Sequence, residues 1–229
     1  MKISICIPCY EYKGYGKECL EKSFQMMSVQ LFKDFQVVIS DHSIDNQLEL
    51  LCEEWKDKLN IKYYRNEENR GNPADNTNKA MALADGEWIQ VLNQDDYLID
   101  SMSLLNISYH LEGSHNWIAS RYFHSRNRQA YERIHVPSIN SRLYVVNTIG
   151  TPSCVVFRNI KPLMLMDTNL KYCYDCEYYY RFMQANGSPE LISSVTIINY
   201  LWENSITAEV DNDFIDKENQ YILKKHGVV

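Results

Sequence analysis

Two kinds of hydrophobic spacing alternate along the first hundred residues. Ile3-Ser4-Ile5-Cys6-Ile7 is a short β-branched run stopped by Pro8, the pattern of a buried strand. From about residue 17 to 31, Leu20, Phe24, Met27 and Leu31 recur at helical spacing. Phe35–Ile39 is strand-like again, and Leu48, Leu51, Cys52 and Trp55 mark one face of a second helix over 46–58. Ile61–Tyr64 as strand, Asn72–Ala84 as helix and Glu87–Leu92 as strand complete the series. Strict alternation of this kind predicts an α/β fold, a mostly parallel central sheet flanked by helices. In such sheets ligands bind beyond the carboxyl ends of the strands. Two polar clusters, Ser40–Asp45 and Asn93–Asp96, fall at those ends.

The pattern thins in the second half. Ser153–Phe157 and Val195–Trp202 read as strands, a helix starts near Asp175 and carries Tyr178, Phe182 and Met183, and a short helix closes the chain after an acidic stretch at 203–218. Residues 121–142 hold five arginines (121, 126, 128, 133 and 142) against Glu132 alone. No repeat or low-complexity linker divides the chain. The expectation is therefore one domain over 1–229, with a binding half at 1–98 and a smaller subregion within 99–229.

Composition narrows the function. A chain of 229 residues with 45% hydrophobic positions can bury its own core without a disulfide or metal staple. A net charge of −7 argues against a globally basic nucleic-acid binder. The eight glycines are half of the roughly 16 expected at average usage, and no G-x-G-x-x-G or G-x-x-x-x-G-K-S/T pattern occurs. Dinucleotide and P-loop sites built on glycine loops are thereby disfavoured. The N-terminus lacks a signal-peptide pattern, no run approaches 18 apolar residues, and the seven cysteines are odd in number, which together suggest a reducing, cytoplasmic setting.

Several groups of side chains could carry chemistry. Asp95-Asp96 directly follows a buried strand, where a carboxylate with diphosphate oxygens and waters can hold Mg²⁺ or Mn²⁺; Asn-Gln-Asp-Asp is equally good turn chemistry. Asp41 can accept hydrogen bonds from a nucleotide, while Ser43 or Asp45 can cap the following helix. Asp175 and Glu177 are both candidates for a general base, and both also suit a helix start. The arginine-rich 121–142 segment, with Arg126 and Arg128, could grip a phosphorylated acceptor or donor, and reads equally well as a solvated loop. The C-x-x-C pairs Cys6/Cys9 and Cys173/Cys176 read as small buried residues rather than a zinc or redox site, and Tyr178-Tyr179-Tyr180 as packing.

Taken in order, these pieces resemble the inverting family 2 glycosyltransferases of the GT-A fold, over roughly residues 2–185. ISICIPCYE (3–11) is similar to the family's opening strand and P-x-Y-N turn, and Asp41–Asp45 (DHSID) to its D-D-G-S-x-D signature. The stretch from Gly71 through Ile89 resembles N-x-G…N-x-G-x-x-x-A-x-G-E-Y-I, and LNQDD (92–96) stands where the family has L-D-x-D-D. GTPSCVVFR (150–158) and YDCEYYYR (174–181) resemble its later G-x-P-S-x-V-x-R and E-D-x-E-x-W-x-R blocks. The resemblance implies that Pro8, Tyr10, Glu11 and Asp41 line a uridine pocket and that Asn78 lies near the base or diphosphate. It further implies that Asp95 contacts Mn²⁺ or Mg²⁺, that Asp96 sits near the sugar, and that Asp175 is the base, with Glu177 the other candidate. Ser40, Asn93, Tyr174 and Glu11 depart from the motifs, so that only the second acid of each pair is kept.

The resulting expectation is a metal-dependent enzyme moving a hexosyl or N-acetylhexosaminyl group from a UDP-sugar to a glycan or lipid-linked acceptor in surface polysaccharide or lipopolysaccharide synthesis. No nucleic-acid partner and at most peripheral membrane contact are expected, with Arg126 and Arg128 on the acceptor side. A nucleotidyltransferase and a catalytically dead nucleotide-sugar-binding module are the competing readings.

Overall fold

A computed structural model of the chain describes residues 1–12, 14–202 and 210–227. Its first half realises the alternation: β1 (Ile3–Cys9), α1 (Tyr15–Ser28), β2 (Phe35–Asp41), α2 (Gln47–Trp55), β3 (Ile61–Arg65), α3 (Pro73–Ala82) and β4 (Trp88–Val91). The four strands pair in parallel in the order β3-β2-β1-β4, aligning Cys9 with Asp41 and Cys6 with Val91. Every residue of β2 is buried, and β1 is buried except at half-buried Pro8, as expected of strands covered on both faces. The carboxyl ends of β1, β2 and β4 therefore open onto one edge.

Leu20, Phe24 and Met27 are fully buried and hold α1 against the sheet. Leu31, expected on the same stripe, is instead exposed, because α1 ends at Ser28. There Gln30 Nε2 donates to the carbonyls of Met26 and Asp100, and the amide of Leu31 donates to the carbonyl of Ser101, so the chain turns toward residues 100–101. The start of α3 follows local rules: Asn72 accepts from the amide of Asp75 at 3.0 Å and Pro73 occupies the first turn. Gly16 has a packing reason, since a Cβ there would meet the Tyr10 carbonyl at 2.5 Å. Only glycine lets α1 start this close to the loop after β1.

The second half continues with β5 (Tyr97–Leu98), α4 (Ser103–Ser108), β6 (Trp117–Ser125), β7 (Arg133–His135), a 3-10 turn (Pro152–Cys154), β8 (Val155–Arg158), α5 (Tyr174–Asn186), β9 (Glu190–Tyr200) and α6 (Asn212–Lys225). It extends the sheet beyond β4 as β8-β6-β9-β5, with β7 on β6. Here β6 runs parallel to β9 while the other pairings are antiparallel. The sequence pattern did not show β6, whose Arg121 lies inside the arginine-rich stretch. Trp117–Ser120 are nevertheless buried, and the Trp117 ring stacks at 5.9 Å on Phe157 of β8. Tyr178 and Tyr179 pack in the same core.

The cysteines at 6, 9, 173 and 176 are all buried and free, and burial raises the Cys6 thiol. Of the acidic stretch expected at 203–218, residues 203–209 lie outside the described residues. Among those described, no helix is long and apolar enough to cross a membrane.

Candidate active site

Three loops meet where the parallel strands end. The side chain of Gln94, after β4, accepts from the Tyr10 amide at 2.8 Å and donates to the Gly16 carbonyl at 2.8 Å. The Glu11 amide donates to Ser43 Oγ at 2.7 Å, and Asn76 of α3 donates to the Cys9 carbonyl at 3.1 Å. These bonds hold 9–11, 41–43 and 94 as one rim. Tyr10 stands 46% exposed on it, available to stack on a flat ligand.

The two acids expected beside Tyr10 face inward. Glu11 accepts from the amides of Gly14 (2.5 Å) and Lys17 (2.7 Å), satisfying donors at the start of α1. Asp41 is fully buried and accepts from the Ser43 amide and hydroxyl and from Tyr63 Oη at 2.7 Å. Both carboxylates thus shape the rim from beneath. Asn78 is also committed to protein, exchanging two hydrogen bonds with the backbone of Met166 at 2.9 and 2.7 Å. Neither Ser43 nor Asp45 is the N-cap of α2, a place taken by Asn46; Asp45 accepts from the Gln47 amide at 3.1 Å, and Ser43 serves Asp41 and Glu11.

The Asp95-Asp96 pair divides its labour. Asp96 is fully buried, and its oxygens accept from Ser153 Oγ (2.5 Å), Thr151 Oγ1 (3.1 Å), Asn199 Nδ2 (2.9 Å) and the Tyr200 amide (3.1 Å). Its backbone carbonyl accepts from Ser23 Oγ at 2.6 Å. With both oxygens engaged it offers none to a sugar, which departs from the expected contact. Asp96→Ala would orphan these buried donors at a cost of about 3 kcal/mol. We expect its thermal midpoint to fall by about 9 °C, measured by calorimetry.

Asp95 is only partly buried, and its side chain takes a hydrogen bond from Trp202. Desolvation and the adjacent Asp96 push its carboxyl up to about 7. The Trp202 ring lies 5.2 Å from Tyr15, at the start of α1. Asn93, where the family motif has an acid, donates instead to Thr151 Oγ1 at 3.0 Å.

Asp175 sits in the first turn of α5, also partly buried. It accepts from the Cys176 amide at 2.6 Å and from Asn147 Nδ2 at 2.7 Å. Burial outweighs those bonds and pushes its carboxyl up to about 7, the range in which a carboxylate is an effective base near neutrality. Glu177, two residues on in the same first turn, is fully buried and held by Arg181 (2.8 and 2.9 Å), Lys225 (2.8 Å) and His226 (3.1 Å). Its desolvation is overcome by Arg181 and Lys225, which keep its carboxyl below the usual range. Of the two candidates, Asp175 alone has the basicity and the access. The hydroxyl of Tyr174, raised first by desolvation, lies within the electrostatic reach of Asp175, Asp95 and Asp96.

The two arginines part company. Arg126 is exposed on the β6–β7 turn and pairs with Glu132. Arg128, mostly buried, reaches Glu18 at 2.6 Å and Cys19 Sγ at 2.8 Å, lies 4.2 Å over the Tyr200 ring and lowers Asp95 electrostatically. It belongs beside Asp95, not on an outer acceptor surface. Gln94, Asn147, Trp202 and the Thr151/Ser153 pair were not singled out in the sequence. A lone loop amide or hydroxyl carries no pattern, although Thr151 and Ser153 lie within GTPSCVVFR.

Known proteins resemble this chain in sequence and in fold. The poly(ribitol-phosphate) β-N-acetylglucosaminyltransferase TarS of Staphylococcus aureus is 32% identical over 100 residues, 43% of this chain and 17% of that protein. A GalNAc(5)-diNAcBac-PP-undecaprenol β-1,3-glucosyltransferase of Campylobacter jejuni is 30% identical over 99 residues, 43% of this chain and 31% of the relative. The aligned stretch is thus under a third of either relative's length. In three dimensions, S. aureus TarS 1–349 in complex with UDP superposes with a TM-score of 0.72 at 19% identity, covering 100% of this chain and 72% of that one. The family model described as "Glycosyl transferase family 2" matches residues 4–169, from β1 past β8 and including the three rim loops. A GT-A sheet whose strand ends carry that family's motifs makes the chain a member of glycosyltransferase family 2.

Proposed function

We propose that this chain transfers a sugar from a nucleoside-diphosphate donor, UDP-linked, to a hydroxyl of a cell-surface glycan or lipid-linked acceptor, inverting the anomeric centre. The observation that carries this reading is a pair of partly buried carboxylates, Asp95 after β4 and Asp175 at the start of α5, each pushed up to about 7 by burial and both within the electrostatic reach of Tyr174. One supplies a carboxylate at the strand end where a diphosphate would lie; the other supplies a base that must come from the acceptor side. TarS structures with UDP and UDP-GlcNAc support the donor class.

Residues 1–98 would hold the nucleotide, with Tyr10 stacking on the base and the rim of Pro8, Glu11 and Asp41 giving the pocket its shape. Arg128 would face the diphosphate charge, and Asp96 would keep Asp95 in place. Residues 99–229 would supply Asp175 and the acceptor side, with exposed Arg126 at its margin.

The residues fit Mn²⁺ or Mg²⁺ in a limited way. Among the described residues no three His, Cys, Asp or Glu side chains converge, and Asn93 and Asp96 are committed to protein donors. Asp95 is the hard oxygen ligand that remains, and a nearby cation would relieve the repulsion that raises its carboxyl. A divalent ion bound there would neutralise charge on the departing nucleoside diphosphate. Asp175, accepting the acceptor's proton, would drive the attack from the other side.

Glu11 argues against the nucleotidyltransferase reading, because its carboxylate fills the start of α1, where a triphosphate-binding loop would present amides. The test is a thermal-shift screen of UDP-N-acetylglucosamine, UDP-glucose and GDP-mannose with Mn²⁺, followed by UDP-release assays. At a hundredfold excess over Kd, binding adds about 2.7 kcal/mol, a rise of about 8 °C. No shift with any UDP-sugar would refute the proposed donor. Pyrophosphate release from UTP would mark a nucleotidyltransferase, and UDP binding without donor turnover a binding module.

A further inference from the structure

α6 lies wholly outside the stretch matched by the family model, yet its Glu218 reaches the residues leading into α5. The Glu218 carboxylate is 7% exposed and accepts three consecutive backbone N–H groups: Lys171 at 2.6 Å, Tyr172 at 3.1 Å and Cys173 at 2.7 Å. Cys173 is the N-cap of α5, and Asp175 follows two residues later. Consecutive amides ahead of a helix form a concavity that favours an anion. Here the chain fills it with its own carboxylate.

The rest of α6 is arranged to keep that carboxylate in place. Lys225 bridges Asp167 (2.5 Å) and Glu177 (2.8 Å), and His226 contacts Glu177 at 3.1 Å. Ile222 packs in a small apolar cluster with Leu170, Cys173 and Cys176. The helix is thus fastened on both sides of the turn that presents Asp175.

We propose that Glu218 is a positioning residue for the general base, setting where Asp175 stands by pinning the backbone of residues 171–173. The inference rests on the reading of Asp175 as base. Glu218 also acts through charge, because its field disfavours the ionised form of Asp175. The other titratable groups facing Asp175 are Tyr122 from β6, Cys154 from the 3-10 turn, and Tyr172, Tyr174, Cys176 and Tyr179 from α5 and its lead-in. All six are raised; Asp95 and Asp96, which act on Tyr174 alongside Asp175, are the other carboxylates nearby and stay unchanged in either Glu218 variant.

The test is Glu218→Gln beside Glu218→Asp, assayed as UDP release from the nucleotide sugar with the largest thermal shift. Glu218→Gln is expected to lower kcat about 30-fold through misplacement of the base, with donor KM within about twofold of wild type. The acid limb of its kcat–pH profile should move down by about half a pH unit, because a negative neighbour has gone. Glu218→Asp keeps the charge and shortens the reach, so kcat should fall while the limb stays in place.

A merely structural role would lower the active fraction without moving any limb. Wild-type kcat in either variant overturns the proposal, as does an unmoved limb in Glu218→Gln or a donor KM that worsens in step with kcat. If Gln at 218 prevents folding, Glu218→Asp decides through kcat and KM. Asp175→Asn separates the two claims. Full turnover there would dismiss the base itself, whereas an inactive Asp175→Asn with a normal Glu218→Gln would dismiss only the positioning role.

Discussion

Asp175→Asn is expected to cut sugar transfer by about a thousandfold while leaving donor affinity within about twofold. The amide keeps the shape and can still meet Asn147, but it cannot take a proton from an acceptor hydroxyl. Because the wild-type carboxyl titrates near 7, kcat of the parent should rise through about pH 7 and level off above it, as the ionised form is the competent one. The sign for stability is opposite. A folded-state pKa raised above the ordinary carboxylate value means that the folded chain holds this proton more tightly. Asp175 therefore subtracts stability as pH rises from about 4 to about 7. The Asn variant escapes that penalty and should melt at or above the wild type at pH 8. UDP release and calorimetry on the same preparation check both halves; a variant that still turns over would remove Asp175 from the reaction.

The second large effect belongs to Asp95. Asp95→Ala is expected to weaken UDP binding in Mn²⁺ by about a hundredfold and to abolish the difference between Mn²⁺ and chelator, measured by titration calorimetry. The fold should tolerate it, because Asp96 and its four donors lie beneath the substituted side chain and lose a repulsive neighbour. The contrast with Asp96→Ala is the diagnostic feature: one variant loses ligand and keeps its melting point, the other loses melting point first. Unchanged Mn²⁺ dependence in Asp95→Ala would transfer the cation contact elsewhere.

The alternation of β1 through β4 was legible because parallel strands buried on both faces read as apolar runs, and helices between them as stripes. The second half was less so. β6 is a central strand, but its burial depends on β8 and β9, which follow much later in the chain, and Arg121 and Arg126 draw the eye to charge. The motifs marked Asp95 for the metal, Asp96 for the sugar and Asp175 ahead of Glu177 as base, without showing what holds each carboxylate. The partners lie far along the chain: Asp96 is saturated by Ser153 and Asn199, and Glu177 by Lys225 and His226. Glu11 and Asp41 show the same limit, since local amides and hydroxyls claim carboxylates that a motif would assign to ligand. Glu218 carried no sequence signal, being one acid in a helix rich in charge.

The bonds to Asp96 also bear on how the protein comes into being. Its partners lie 55, 57, 103 and 104 residues further along the chain, and its carbonyl is tied 73 residues back, to Ser23. Closing loops of that span is slow and yields its reward late. On a ribosome the first hundred residues could pair β1 through β4, but the loop bearing Asp95 would still lack the hydroxyls and amide that give it shape. The shape of that loop would therefore arrive with the emergence of β9 rather than with the completed β1–β4 half. An N-terminal fragment ending near residue 98 would be a sheet whose Asp95 loop lacks its shape.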